Sequence, residues 1–120
     1  MVALSDIDIL RRDRRVISLI GVSHGASHFY QLALPPLYPL MHAGEGYSYA
    51  SLGALTGAFF VASAVFQPVS GFFVDRFGSR TILLIGLACL SCATGLMAVF
   101  PYYPILFCLS IMAGIGNSVF

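Results

Sequence analysis

Three stretches of this chain, residues 16–41, 49–74 and 81–120, contain no Asp, Glu, Lys or Arg. A helix gains 1.5 Å per residue, so about 20 uncharged residues cross a bilayer core about 30 Å thick. The first two runs hold 26 residues each and the third holds 40, which is the length of two crossings. "PYYP" at 101–104 divides the third run, because prolines interrupt helices and tyrosines favour the membrane interface. The expected fold class is an all-α membrane protein with spans at about 16–41, 49–74, 81–100 and 105–120. Residues 1–15 form an amino-terminal tail and residues 16–120 a partial transmembrane domain. The last run holds 16 residues, fewer than a crossing needs. Three full helices and the start of a fourth make the chain read as the amino-terminal fragment of a longer protein.

Composition agrees with the spans. Hydrophobic residues make up 58% of the 120 and charged residues 9%, whereas charged residues are about a quarter of a soluble domain. A water-soluble domain is excluded. All six basic residues are Arg and the formal net charge is +1, so no nucleic-acid partner is expected. Cys89 and Cys92 form a C-x-x-C, but Ala93 follows it where haem attachment needs His, and no second C-x-x-C or nearby His completes a zinc site. The three cysteines lie inside apolar runs and are expected to be inert, buried thiols. No cofactor and no metal are expected.

The arginines set an orientation. Arg11, Arg12, Arg14 and Arg15 precede the first span, and Arg76 and Arg80 lie between the second and third. The loops at 42–48 and 101–104 carry no Lys or Arg. All six positive charges therefore fall on one side, which the positive-inside rule makes cytoplasmic. The amino terminus is expected inside, in the inner membrane, with the lipid bilayer as a partner. A cleaved signal peptide fits poorly, since 26 uncharged residues exceed the usual 7–15 of its apolar core and no A-x-A site follows.

Between the second and third spans, "GFFVDRFGSR" places Gly71, Asp75, Arg76, Gly78 and Arg80 within ten residues. Gly71 and Asp75, four apart, share a helix face, where a glycine lets a neighbouring backbone come close to the carboxylate. Asp75 at a helix carboxyl end is opposed by the macrodipole and so needs a cation or another helix's amino end. Gly78 permits a tight reversal, and Arg76 and Arg80 sit at headgroup level.

These five residues match the G-x-x-x-D-R-x-G-x-R signature, and the chain resembles the major facilitator superfamily, whose members carry it between their second and third helices. "SHGASHFYQLALPPLYPLM", "YSYASLGALTGAFFVASAVFQPVSGFFVDRFGSR" and the closing "GIGNSVF" look like the fosmidomycin-resistance-like branch of efflux proteins. The likeness covers Val16 to Phe120. It implies a six-helix half of which the first part is present, a central cavity lined by the first helix, and a gating role for the signature. In the family, the Asp closes a contact with a helix of the second half, so the missing carboxyl-terminal helices are implied partners. Two positions depart from the pattern. Ile111 stands where many proton-coupled members have Arg, and Tyr30 and Gln31 follow His28 and Phe29 where near relatives often have an acid.

No acid lies within any span, and ionisable groups inside membranes are functional candidates by default. His24, His28, Gln31 and Gly21 fall within an arc of about 80° on the first helix. Thr56, Ser63, Gln67 and Ser70 form a second polar stripe on the second helix. Facing each other, the stripes would wall a hydrated pathway for a polar or amphipathic small molecule, with imidazole as proton carrier. The same residues also suit helix-packing contacts. Two His at i, i+4 could begin a metal site, but neighbouring spans hold no third ligand. Gly21 with Gly25 and Gly53 with Gly57 have GxxxG spacing for close helix contact, and Pro35, Pro36 and Pro39 should bend the outer end of the first span.

The leading expectation is the amino-terminal part of a secondary transporter that exports small amphipathic molecules or drugs by alternating access, with protons as a coupling ion. The substrate/proton pathway comprises His24, His28, Gln31, Thr56, Ser63 and Gln67. The alternative is a truncated, inactive product, or a small helical module that oligomerises or binds a partner. No nucleophile, base and oxyanion donor converge, so an enzyme is not expected.

Overall fold

The computed structural model describes residues 2–120, with side chains from residue 7 onward. Five α-helices follow in order: α1 (Val2–Ala33), α2 (Tyr38–Glu45), α3 (Tyr49–Phe77), α4 (Ser79–Val99) and α5 (Tyr103–Asn117). Among the described residues, α3 and α4 are the two helices both long and apolar enough to cross a membrane. α5, with 15 residues, is a shorter apolar helix. α1 is the longest at 32 residues, but the polar stripe from His24 to Gln31 lowers its hydropathy.

The first span differs from its expected bounds of 16–41. α1 runs back through Arg11–Arg15, because arginine is a good helix former and charge marks a membrane boundary rather than a helix boundary. It stops at Ala33, where a 3-10 turn, Pro35–Leu37, links it to α2. The prolines remove backbone donors at 35 and 36 and so break the helix there. α2 then occupies residues expected to be loop, and the connection to α3 shrinks to residues 46–48. Gly46 closes α2 in the left-handed conformation at φ 72°, its N–H bonded to His42 O at 3.2 Å. Ser48 caps α3 by accepting from Ser51 N at 3.1 Å.

At the opposite end of α3, the turn expected across residues 75–80 is a single residue. α3 continues through Asp75 and Arg76 to Phe77, and α4 starts at Ser79. Gly78 makes the reversal at φ 85° and ψ 142°, a conformation open essentially to glycine alone. Pro68 lies inside α3.

α5 packs chiefly against α3 and α4. Leu52, Leu55 and Phe59 of α3, Leu90, Ala93 and Met97 of α4, and Leu106, Leu109 and Ala113 of α5 form the buried core. Their three- and four-residue spacing keeps each set on one helix face. Within a bilayer such contacts are held by van der Waals packing rather than by exclusion of water, which favours small residues at crossings. A Cβ on Gly114 would overlap the Phe59 carbonyl oxygen, and one on Gly116 would lie 2.8 Å from Gly86 O. The expected GxxxG pairs do not serve this role here, since among the described residues nothing lies within 4 Å of a Cβ built on Gly21, Gly25, Gly53 or Gly57. Tyr47 Oη donates to Pro101 O at 2.6 Å, joining the two loops without arginine at one end of the bundle. Phe60, Val61, Val65 and Phe72 point outward, as apolar side chains facing lipid or further helices do.

Candidate functional site

The polar stripe of α1 is built by helical spacing alone. His24 Nε2 and His28 Nε2 lie 3.0 Å apart, their rings edge to face with centroids 4.6 Å apart. His28 Nδ1 is 3.3 Å from Gln31 Oε1. Gln31 Nε2 donates to Asn117 Oδ1 at 3.0 Å, and Asn117 Nδ2 donates to Ser63 Oγ at 3.0 Å. Five side chains from α1, α5 and α3 thus form one continuous hydrogen-bonded path.

The amides fix the direction of that path. Gln31 uses its nitrogen toward Asn117, so its oxygen accepts the proton on His28 Nδ1. In neutral His28 the other nitrogen is then bare and accepts from His24 Nε2–H. Every donor points from His24 toward Ser63, and His24 Nδ1 is left as the free basic nitrogen. Both histidine rings are exposed on the described chain, Gln31 and Ser63 are half-buried, and Asn117 is buried.

The two stripes do not face each other directly, as the sequence leads one to expect. Asn117 of α5 links them, bonded to Gln31 of α1 on one side and Ser63 of α3 on the other. Thr56 meets the first helix's continuation instead, in a short hydrogen bond with Tyr38 Oη. Ser70 is buried and pairs with Ser118 Oγ at 2.5 Å, a contact that joins α3 to the end of α5. Gln67 is exposed on α3 and stands outside the path. The sequence reasoning missed Asn117, Tyr38 and Ser118. An Asn inside an uncharged run is itself the available signal, because an amide within a membrane needs a partner.

The signature residues cluster around the α3–α4 reversal. Gly78 has its expected role there. Asp75, Arg76 and Arg80 are exposed, and the Arg76 guanidinium lies 5.8 Å from the centre of the Phe77 ring. The face of Gly71 is open, with nothing within 4 Å of a built Cβ, so no described backbone approaches it.

This helical, membrane-suited architecture carries a polar path across helix interfaces and its signature at a helix reversal. The Major Facilitator Superfamily profile matches residues 18–120, and the chain belongs to that superfamily, whose members are multi-pass membrane proteins. It is 23% identical over 105 residues to an uncharacterized MFS-type transporter, YfnC, of Bacillus subtilis (strain 168), covering 88% of this chain and 26% of that protein. It is 26% identical over 105 residues to the fosmidomycin resistance protein of Escherichia coli (strain K12), again covering 88% of this chain and 26% of the relative. The chain therefore spans about a quarter of the length of the curated relatives it matches. No solved structure matches it.

Proposed function

We propose that this chain is the amino-terminal part of a secondary active transporter of the inner membrane that exports small amphipathic molecules or drugs by alternating access, with protons as the coupling ion. The observation that carries this proposal is the directed path His24–His28–Gln31–Asn117–Ser63. A proton added at His24 Nδ1 leaves every hydrogen bond of the path in place. It passes to His28 by transfer across the Nε2–Nε2 contact, after which His28 donates from both nitrogens. A second proton would set two N–H groups against each other at 3.0 Å, so the pair accepts one charge at a time. Primary amides are poor proton carriers, and Gln31 and Asn117 act as positioning residues that tie the charge on α1 to the packing of α5 and α3. That tie is what alternating access requires: protonation must change the relative energy of two helix arrangements.

Export is supported by one relative's name, since outward transport of a compound is one way to confer resistance to it. The inside amino terminus is supported by the six arginines and by the Tyr47–Pro101 bond, which places the two arginine-free loops together at the other end. Asp75, Arg76 and Arg80 at the Gly78 reversal form a cytoplasmic gate whose partners lie in further helices of the full-length protein. The testing experiment reconstitutes that protein in vesicles with an internal pH dye. Amphipathic substrate added to one side should drive proton movement in the opposite direction, and substrate movement without proton movement would remove protons as the coupling ion.

A further inference from the structure

Ser110 is 1% exposed on α5, and among the described residues its hydroxyl is the buried side-chain oxygen that no hydrogen-bond partner reaches. It lines a cavity of about 30 Å³ that Tyr30, Gln31, Thr56 and Thr94 also line. The cavity thus brings polar side chains from α1, α3, α4 and α5 together. A buried water occupies at least about 10–15 Å³ and makes about three hydrogen bonds to groups that otherwise lack partners. The space is too small for an organic molecule, and no charged side chain lines it to hold an ion.

We infer that this cavity is a water site anchored on Ser110. Thr94 donates its own hydroxyl proton to Leu90 O at 2.8 Å, which leaves its oxygen free to accept from the water. Gln31 retains a second N–H and a second lone pair beyond those used toward Asn117 and His28. The water then joins two polar systems that the protein's own bonds leave separate: the path from His24 to Ser63, and the Tyr38–Thr56 contact beside the break at Pro35. The site itself stands on Ser110 and the cavity. Only its place in transport, as an exchangeable partner next to the outer break of the first helix, rests on the transporter proposal.

The test is water-to-methyl magnetisation transfer in the full-length protein, in nanodiscs, with the threonine methyls labelled. Long-lived cross-peaks from water are expected at Thr56 and Thr94. Ser110→Val, which replaces the hydroxyl with two methyl groups and fills part of the cavity, should abolish them. Ser110→Ala removes one of about three hydrogen bonds to the water and should weaken the cross-peaks; it serves alone if the valine variant fails to fold. Absent cross-peaks in the parent, or peaks unchanged in Ser110→Ala, would overturn the water site. Peaks that behave as expected while transport shows no dependence on protons would keep the site and reject its transport role.

Discussion

Gln31 on α1 and Asn117 at the end of α5 are 86 residues apart in sequence, and their side-chain amides meet at 3.0 Å. This single bond closes the path between the histidine pair and Ser63, and it sets the tautomers of both rings. Interhelical hydrogen bonds in membrane proteins contribute about 0.6 kcal/mol on average and up to about 1.7. A double-mutant cycle with Gln31→Ala and Asn117→Ala in the full-length protein should return a coupling energy in that range, measured by unfolding from mixed micelles. Additive effects would mean that the two amides do not support each other.

The glycine seam makes a separate prediction. Gly114→Ala forces a methyl into the Phe59 carbonyl and should destabilise the α3–α5 crossing by about 1–3 kcal/mol, as overpacking does. Gly53→Ala and Gly57→Ala should leave the stability of this chain's helix packing unchanged, since their faces are open. Thermal unfolding of the purified variants distinguishes the two outcomes. Loss at Gly57 with none at Gly114 would show that a different α3 face carries the packing.

At the reversal, Gly78→Ala should cost about 1–3 kcal/mol, because alanine is strained at φ 85°. Asp75→Asn should impair transport more than Arg76→Lys at matched membrane abundance. In the proposed gate Asp75 needs a specific partner, whereas Arg76 chiefly supplies positive charge at the headgroups. Parental activity in Asp75→Asn would remove the gating role.

For topology, single cysteines at Gly46 and Tyr102 should react with an impermeant thiol reagent in intact cells, and one at Ser79 should not. Cys89, Cys92 and Cys108 are replaced first. Labelling at Ser79 with none at Gly46 would invert the orientation.

Much of the helical pattern was legible because a bilayer imposes it. Uncharged runs bracket α3 and α4 to within a few residues, and "PYYP" marks the start of α5. The proline cluster pointed to a bend in the first span, but not to the break after Ala33 or to α2 resuming as helix beyond it, since Pro is tolerated in a helix's first turn. The extension of α1 through the arginines was hidden for a different reason: membrane depth and helix length are set by different forces. His24, His28 and Gln31 could be placed on one face by spacing alone, whereas Asn117 could not be joined to them. That contact depends on how α5 is placed in the bundle, which no local periodicity encodes. GxxxG spacing likewise identified glycines that lie close on a helix without telling which face meets a neighbour, and the packed ones proved to be Gly86, Gly114 and Gly116.

The central claim is that His24 and His28 together form a single-proton element that drives transport. Its most direct measurement is the pH dependence of transport by the full-length protein. His24→Gln with His28→Gln should flatten that profile, while either single substitution keeps part of it, because one imidazole still takes up a proton. A double variant that retains the parent's pH profile and rate would contradict the claim and leave the pair as helix packing.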